Sequence, residues 1–262
     1  MRPLVQCPPE TFENIRYVLT DMDETLTYQG RLAARTYTAL ERLQTAGIRV
    51  IPVTAAPAGW CDQMARMWPV DGVIGENGAL FFSRSADTHR LRRDYWHQGE
   101  AVEDSLRKRE LLIEMVTQQL PWARLAADQG FRQASVAWEI PSEIDRRDSL
   151  IEIFRTVGAE YTFNNLWALA WFGRYDKLVM AKHVLSAIYG LLPGEDVAQV
   201  FYSGDSLNDG PMFGYFRHTL GVSTIRDCVE QMSDLPAWIS EGAGGSGFVE
   251  AVDVILACQT RR

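Results

Sequence analysis

Two aspartates separated by one residue follow a short apolar run near the beginning of the chain. The run Tyr17-Val18-Leu19-Thr20 is followed directly by Asp21, Met22 and Asp23. A continuous apolar run bounded by polar residues predicts a strand that is buried on both faces. Because residues i and i+2 of an extended chain point the same way, the two carboxyl groups are expected to converge where this strand ends.

Polar residues also follow two later predicted strands. Thr54 comes after the run at 48–53, and Asp205 and Asp209 come after the run at 197–202. The carboxyl ends of strands in an open α/β sheet are where ligands bind. Each of these residues alone is typical of a turn or a helix cap. Their joint occurrence at strand ends, in this order, indicates a single site.

The charges of such a site predict a metal ion. Two carboxylates about 4 Å apart repel by about 4 kcal/mol at an effective dielectric constant near 20, so Asp21 beside Asp205 requires a cation between them. Hard oxygen ligands that leave places for water suit Mg²⁺ bound together with a phosphate. The motifs contain no His or Cys, which argues against zinc.

The first third of the chain alternates between strand and helix patterns, which predicts a parallel α/β sheet. Pro52 fits its strand poorly, because proline provides no donor to the hydrogen-bond ladder. We expect helices at 32–46 and 60–68 and strands at 17–20, 48–53, 72–75 and 79–82, with Asn77-Gly78 as a tight hairpin turn between the last two.

This pattern is interrupted after residue 83 and returns at Asp176. Residues 84–99 are rich in Arg, Asp and His and are interpreted as a linker or domain entry. A long helix follows, with Val102, Leu106, Ile113, Val116 and Leu120 on its apolar face. Beyond it we expect strands at 133–140, 161–163 and 166–172, a helix at 145–157, a helix at 176–189 capped by Asp176, strands at 197–202 and 219–222, and a last helix at 248–258.

These elements predict one α/β domain split by an inserted domain. The fold class is a Rossmann-like, doubly wound parallel-sheet core interrupted by an α+β cap. The predicted core comprises residues 1–83 and 174–262, and the predicted cap comprises residues 84–173, a plausible size for a small domain.

Composition narrows the function classes. The chain has 262 residues, of which 47% are hydrophobic, and a net charge of −8, so it can bury a core. Its charge is opposite to that of a general nucleic-acid or anionic-membrane binder.

The spacing of the four cysteines suits neither a zinc site nor a disulfide framework; they are Cys7, Cys61, Cys228 and Cys258. With no signal peptide or membrane span in the pattern, a reducing cytoplasmic setting is expected. The oligomeric state stays open.

The motifs resemble those of the haloacid dehalogenase superfamily of phosphohydrolases. Asp21-Met22-Asp23-Glu24-Thr25-Leu26-Thr27 is similar to the first motif of that family, Thr54 to the second, Lys177 to the third and Gly204-Asp205-Ser206-Leu207-Asn208-Asp209 to the fourth. A large insert between the second and third motifs is similar to the cap of the Cof-like, sugar-phosphatase branch. The first and fourth motifs are specific, and the other two gain meaning only beside them.

The resemblance implies a mechanism. Asp21 would attack phosphorus and form an aspartyl phosphate. Asp23 would protonate the leaving alcohol and then deprotonate the hydrolytic water. Mg²⁺ would be held by the side chains of Asp21 and Asp205 and by the main-chain carbonyl of Asp23.

The remaining motif residues are implied to bind phosphate or to hold its ligands. Thr54, Lys177 and Asn208 would contact the phosphate. Asp209 would hold Lys177 or a metal-bound water from behind.

Two positions depart from the family pattern. Glu24 stands where glycine is usual, although glutamate occurs there in relatives. Ala55-Ala56 follows Thr54 where this branch often has Gly-Arg, so an arginine that would contact the substrate is missing. The second departure bears on substrate affinity and leaves the aspartate chemistry intact.

The resulting prediction is a Mg²⁺-dependent phosphatase acting on a small phosphorylated metabolite, above all a sugar phosphate. The alternatives are a phosphosugar mutase on the same scaffold, a catalytically weak phosphosugar-binding protein, and a signalling protein that accepts phosphate on an aspartate.

Three weaker features stay open. Asn77-Gly78 either lines the site or is a plain turn. The glycines of 242–247 either approach phosphate or are flexible. Three tryptophans of the predicted cap belong to its core or stack on a sugar: Trp138, Trp167 and Trp171.

Overall fold

The computed structural model describes residues 1–85, 87–164 and 166–259. Its strands are β1 (Arg2–Pro3), β2 (Tyr17–Thr20), β3 (Thr27–Tyr28), β4 (Arg31–Leu32), β5 (Arg49–Pro52), β6 (Val73–Gly75), β7 (Leu80–Arg84), β8 (Leu91–Tyr95), β9 (Ser135–Glu139), β10 (Glu160–Phe163), β11 (Trp167–Trp171), β12 (Val200–Gly204), β13 (His218–Gly221) and β14 (Trp238–Ile239). Its α-helices are α1 (Ala34–Thr45), α2 (Ala58–Met67), α3 (Glu100–Gln119), α4 (Ile144–Thr156), α5 (Lys177–His183), α6 (Glu195–Gln199), α7 (Gly210–Tyr215) and α8 (Gly245–Gln259).

A six-stranded parallel sheet forms the centre of the fold, with the order β1-β14-β13-β12-β2-β5. β2 lies between β12 and β5, and its apolar residues serve both faces. Val18 packs with α1 and α8 on one face, and Leu19 packs with α5 and α7 on the other. Burial on both faces explains the continuous apolar run of β2. The prediction of a doubly wound parallel sheet is confirmed.

Pro52 fits into β5 because of where its nitrogen points. The backbone N–H of Val53 donates to Thr20 O at 2.7 Å, so the alternation of the ladder turns the nitrogen of Pro52 away from β2. β5 is also the last strand of its six-stranded sheet. A missing donor on the outer side of an edge strand leaves the pairing with β2 intact.

A small antiparallel sheet, β6-β7-β8, lies next to β5. The predicted hairpin turn between β6 and β7 is present, with positive φ angles at Glu76, Asn77 and Gly78. β8 is a difference from the prediction, because it lies in the stretch that we interpreted as a linker. Its side chains are mostly charged and exposed, as suits an edge strand, and therefore show no apolar alternation.

A third sheet, β10-β11-β9, is antiparallel and carries α3 and α4. Leu112 and Val116 of α3, Leu150 and Phe154 of α4 and Trp138 of β9 share one buried cluster. The predicted apolar face of α3 is wrong in its first half, since Val102 and Leu106 remain 49% and 47% exposed. The division into a core and a cap at residues 84 and 173 stays a prediction.

Two strands, β9 and β12, begin two or more residues later than the sequence pattern predicts. Residues 197–199 belong to α6, because Asp196 Oδ1 accepts hydrogen bonds from the backbone of Gly194 and Val197 and turns the chain there. β9 begins at Ser135 because the preceding backbone N–H groups donate to the carboxylate of Glu76 instead of to a strand.

The glycines of 242–247 serve close packing at the start of α8. A Cβ at Gly245 would lie 2.2 Å from Thr36 Oγ1, and one at Gly247 would lie 2.2 Å from Ser240 Oγ. Such contacts disagree with a flexible connection, and an approach of these glycines to phosphate stays a prediction. The four cysteines form no disulfide. Within the described residues, no helix combines the length and the apolar character that crossing a bilayer requires.

Candidate active site

Three buried aspartates meet at the carboxyl ends of β2 and β12. β2 and β12 pair with Thr20 opposite Ser203, so the residues that follow them are neighbours, and Asp21 N donates to Ser203 O at 2.8 Å. Asp21, Asp205 and Asp209 each offer a carboxylate oxygen within 4.8 Å of the other two. The predicted convergence of Asp21 with Asp205 is therefore present.

Lys177 is the cation of this cluster. Its Nζ lies 2.9 Å from Asp21 Oδ1, 2.7 Å from Asp209 Oδ1 and 3.3 Å from Asn208 Oδ1. The side chain is 1% exposed. Burial alone lowers the pKa of Lys177, but the charges of Asp209 and Asp21 outweigh it and raise that pKa above its ordinary value. Lys177 is therefore a fixed positive charge against Asp21.

The start of α5 places Lys177. Asp176 is the N-cap predicted from the sequence, and its Oδ1 accepts from Val179 N at 2.7 Å. The turn before β7 packs against this cap, because a Cβ at Gly78 would lie 2.2 Å from Asp176 O. Gly78 thus permits the close approach that brings α5 up to the end of the central sheet.

Asp209 is already engaged by the protein. Its Oδ1 accepts from Lys177 and from the hydroxyl of Tyr202, and its Oδ2 accepts from the backbone of Asp205 and Ser206. Both oxygens therefore hold the loop after β12 and the lysine. This arrangement suits the implied role of Asp209 behind the reacting groups more than the role of a direct metal ligand.

Asp21 and Asp23 occupy different electrostatic surroundings. Burial raises the pKa of Asp21 well above its usual range, Lys177 opposes this shift, and Asp209 and Asp205 add to it. Burial also raises the pKa of Asp23, to about 6, with Lys177 acting in the opposite direction. A carboxyl group with a pKa near 6 can hold a proton and also release it close to neutral pH, which is what acid–base chemistry requires.

The raised pKa of Asp23 predicts a pH dependence of stability in the metal-free protein. A folded-state pKa above the unfolded one favours the protonated form, so this stabilisation is present below about pH 4 and is lost as the pH rises through about 6. The shift corresponds to about 3 kcal/mol. The pKa of Asp21 is raised as well, so both proteins lose stability as the pH rises. In urea unfolding with EDTA we expect the wild type to lose about 3 kcal/mol more than Asp23→Asn over this range. Equal pH profiles for the two proteins would contradict this assignment.

Glu24 adopts a left-handed backbone conformation. Its φ is 57°, in a turn where Glu24 N donates to Thr27 Oγ1 and Thr25 Oγ1 donates to Asp205 Oδ1 at 2.9 Å. This geometry accounts for the usual glycine at this position of the resembling motif. The turn ties the first acidic motif to the fourth through Thr25, a contact that we did not predict.

Thr54 lies in the loop after β5, next to β2. Its backbone N donates to Ile74 O, its carbonyl accepts from Asn77 N, and its Oγ1 accepts from Ala56 N at 3.0 Å. The hydroxyl proton of Thr54 is therefore not used in that bond. Asn77 is buried in the hairpin turn and its Oδ1 has no partner. The turn is thus tied to the loop that contains Thr54.

The cavities beside these residues are small. One of about 10 Å³ is lined by Asp21, Asp23 and Asn208, among others. A second, of about 30 Å³, lies between Asp23 and Trp167. Such volumes hold about one or two water molecules each. Asn164 and Leu166 line both cavities, so residues that flank the strands of the third sheet lie against the site.

Of the three tryptophans, Trp167 alone borders these cavities. Trp138 is buried in the cluster of the third sheet, and Trp171 is buried with its indole N–H donating to Tyr175 O. The core interpretation is therefore correct for Trp138 and Trp171. Trp167 lines the cavity that contains Asp23.

Sequence reasoning missed Arg132, which lies between α3 and β9. Arg132 Nη1 donates to Ala55 O at 3.0 Å. Ala55 is the first of the two alanines that stand where the resembling branch often has Gly-Arg. The guanidinium is held by Asp128 in two hydrogen bonds, and both side chains line the cavity next to Asp23. Arg132 and Ala55 are 77 residues apart in sequence. No local spacing signals such a contact.

Glu76 was also missed, although it joins three parts of the fold. Its Oε1 accepts from the backbone of Ala58 and Gln133, and its Oε2 accepts from the backbone of Ala134 and from both the N–H and the hydroxyl of Ser135. The residue is 1% exposed and has a φ of 45°. A buried carboxylate with five donors holds the start of β9 against the start of α2.

We expect Glu76→Gln to lower the free energy of unfolding by about 3–5 kcal/mol, because an amide NH₂ would face N–H donors in a buried site. Urea unfolding measures the change. Glu139→Gln, at the exposed end of β9, is the matched control and is expected to change stability by less than about 0.5 kcal/mol. A tolerated Glu76→Gln would show that this carboxylate does not hold the two parts together.

The donor set fits a hard divalent cation. When the three carboxylates are ionised, Lys177 compensates one of their charges, and two negative charges remain in a buried site. Like charges at this distance repel strongly, so a divalent cation would lower the free energy of the ionised site. Carboxylate oxygens without His or Cys suit Mg²⁺.

A family comparison agrees with the arrangement. Residues 18–104 match the family model of haloacid dehalogenase-like hydrolases. That range contains Asp21, Asp23 and Thr54. No curated protein matches the chain.

Solved structures share the fold along nearly the whole chain. The protein 0175 of Thermoplasma acidophilum has a TM-score of 0.72 at 17% identity, over 93% of this chain and 99% of that one. A phosphatase of the haloalkanoate dehalogenase superfamily from Bacteroides thetaiotaomicron has a TM-score of 0.64 at 16% identity, over 96% and 99%. The sucrose-phosphatase of Synechocystis, solved with sucrose and phosphate, has a TM-score of 0.64 at 13% identity, over 93% and 98%. At these identities the likeness establishes the fold alone.

Proposed function

We propose that this protein is a Mg²⁺-dependent phosphatase acting on a small phosphorylated metabolite. Its residues 18–104 match the family model of haloacid dehalogenase-like hydrolases, and solved structures share its fold. The observation that carries the proposal is the meeting of Asp21, Asp205 and Lys177 at the end of the central sheet, with Asp23 beside them. Two structural neighbours are named as phosphatases, which supports the same chemistry.

Asp21 is the proposed nucleophile. Lys177, 2.9 Å from Asp21 Oδ1, favours its ionised form and offers a positive charge to the incoming phosphate. Attack on phosphorus forms an aspartyl phosphate and releases the alcohol, and water then attacks the phosphorus and regenerates the Asp21 carboxylate. The side chains of Asp21 and Asp205 and the main-chain carbonyl of Asp23 would hold Mg²⁺, which would supply positive charge to offset the carboxylates and the phosphate oxygens.

Asp23 is the proposed general acid and base. With a pKa raised to about 6 it delivers a proton to the leaving oxygen and then takes one from the attacking water. The hydroxyl of Thr54, the Nζ of Lys177 and the side-chain amide of Asn208 are the proposed donors to phosphate oxygens. Asp209 positions Lys177 and the loop after β12.

We expect Asp23→Asn to lower kcat about 10²- to 10⁴-fold for an alkyl phosphate, whose leaving group needs a proton. The first step with p-nitrophenyl phosphate should be affected far less, because nitrophenolate leaves without one. Glu24→Gln, which removes the neighbouring carboxylate, is the matched control. Equal losses in the first step for both leaving groups would contradict the role of Asp23 as an acid.

The proposed substrate class is sugar phosphates. The cavity beside Asp23 is bordered by Trp167, Asp128 and Arg132, which offer a ring face and hydrogen-bonding groups to a polyhydroxylated leaving group. The small cavities imply that the predicted cap, residues 84–173, opens to admit it and then excludes water.

A screen of phosphorylated metabolites for phosphate release, with Mg²⁺ and with EDTA, tests the proposal. We expect Mg²⁺-dependent release to be highest for sugar phosphates. Formation of an isomeric sugar phosphate without free phosphate would favour a mutase, and a phosphorylated protein stable for minutes without turnover would favour a phospho-acceptor. The four free cysteines agree with a reducing, cytoplasmic setting, which is part of the proposal.

A further inference from the structure

A third cavity, much larger than the two beside Asp23, lies away from the aspartates. It has a volume of about 420 Å³ and lies among β7, β8, the first half of α3 and the residues before β9. This volume is within the range of small-molecule sites, whereas the cavities beside Asp23 hold only water. Arg132 lines both this cavity and the cavity beside Asp23, so its side chain lies between the two.

The wall of the large cavity is mainly apolar. Ala79 comes from the residue before β7, Val102 and Leu106 come from α3, and Ala134 comes from the chain before β9. Val102 and Leu106 are the residues that the sequence pattern places on the buried face of α3, yet both remain about half exposed. The apolar stripe of α3 therefore continues past the packed core and faces this cavity.

Arg109 brings a positive charge to the same wall. Its Nη1 donates to the carbonyl of Gln133, while its Nε is buried without a hydrogen-bond partner. Among residues 1–85, 87–164 and 166–259, Arg109 takes part in no ion pair, whereas the other arginine of the cavity, Arg132, is paired with Asp128. Burial lowers the pKa of Arg109, the direction expected where its charge lacks a close counter-ion.

The neighbouring groups of the protein do not supply that counter-ion. The Glu76 carboxylate is the acidic group that acts most strongly on Arg109, but five donors from other residues already occupy its oxygens. The hydroxyl of Tyr95 pairs with the side chain of Gln133, and His97 Nε2 lies 2.7 Å from Phe172 O. Tyr175 also acts on Arg109, and its hydroxyl is buried without a hydrogen-bond partner, but it is a neutral group. Within the described part of the chain, Arg109 therefore has no carboxylate partner, and a ligand in the cavity would supply one.

We propose that this cavity binds a small organic carboxylate with an apolar body, its carboxylate on Arg109 and its body along Val102 and Leu106. A charged carboxylate satisfies a partly buried guanidinium better than a neutral acceptor does. The apolar wall disfavours a polar sugar phosphate, so the ligand differs in class from the substrate of the aspartate site. The ligand would contact α3 and β7 together and so join the third sheet to the rest of the fold.

Titration of octanoate into the full chain, followed by isothermal calorimetry, tests the proposal. We expect saturable binding of one octanoate per chain, with a Kd at least about tenfold lower than those of acetate, which lacks the apolar body, and 1-octanol, which lacks the charge. Arg109→Met and Leu106→Glu are each expected to raise the Kd at least about tenfold. Leu111→Glu, at a 51% exposed position of the same helix outside the cavity, is the matched control and should bind as the wild type does.

The test separates this site from the active site. Asp21→Asn, which removes the proposed nucleophile, is expected to bind octanoate with unchanged affinity. Circular dichroism verifies that each variant is folded. Leu106→Glu tests the same cavity at an exposed residue, so weaker binding there cannot be attributed to unfolding around Arg109. The proposal is overturned if octanoate does not bind at millimolar concentration, if acetate or 1-octanol binds as tightly, or if Leu106→Glu binds as well as Leu111→Glu.

Discussion

Replacing Asp21 with Asn is expected to abolish phosphate release, by at least about 10⁴-fold, in a protein that stays folded. An amide cannot form the aspartyl phosphate. Asp209 also lies next to Lys177 and Asp205, but both of its oxygens already accept hydrogen bonds from the protein. Burial and the neighbouring carboxylates raise the pKa of Asp21, so the neutral Asn removes repulsion as well as a contact to Lys177. Release of phosphate from p-nitrophenyl phosphate or a sugar phosphate measures the loss.

Two further measurements accompany this variant. Asp253→Asn, in an exposed ion pair with Arg42, is the matched control and should retain full activity. Mg²⁺ should stabilise the wild type against urea more than it stabilises Asp21→Asn, because the variant lacks one proposed ligand. Phosphate release by Asp21→Asn at a rate near that of the wild type would refute the assignment of the nucleophile.

Replacing Lys177 with Met is expected to remove activity and to destabilise the metal-free protein by about 3–5 kcal/mol. The lysine is the buried cation that contacts both Asp21 and Asp209, and its loss leaves their charges without a partner. Because a divalent cation compensates the same charges, Mg²⁺ should restore part of the stability but not the activity. Urea unfolding in EDTA and in Mg²⁺ measures both effects.

Lys182→Met is the control for this change. Lys182 is an exposed residue of the same helix and stacks on Tyr215, so a loss of less than about 1 kcal/mol is expected there. A loss at Lys177 no larger than that at Lys182 would show that the cluster does not depend on the lysine.

The arrangement of the aspartates was predictable because it follows from strand order. A buried strand such as β2 has a continuous apolar run, and the residues after it lie at the carboxyl edge of a parallel sheet whatever the loops do. Asp21 and Asp205 are therefore located by the strands that precede them. Asp209 and Lys177 gained their expected roles from the resemblance, and their contacts in the structure agree with those roles.

The contacts that cover the site were not predictable in this way. Glu76 contacts the chain before β9 and Arg132 contacts Ala55, and both pairs join segments more than 50 residues apart in sequence. An isolated charged residue is usually a solvated side chain, so neither residue stands out in the sequence. The exposure of Val102 and Leu106 on α3 was not predicted for a related reason. The periodicity of apolar residues does not show where a packed core ends.

If Asp21 carries the phosphoryl group, a burst experiment on Asp23→Asn with p-nitrophenyl phosphate and Mg²⁺ will reveal the intermediate. Nitrophenolate needs no acid, whereas hydrolysis of the aspartyl phosphate needs the missing base, so the intermediate should accumulate. We predict a burst of about one nitrophenolate per chain and, after acid quenching, a phosphoryl group on the peptide that contains Asp21. No burst, or a phosphoryl group on another residue, would contradict the account.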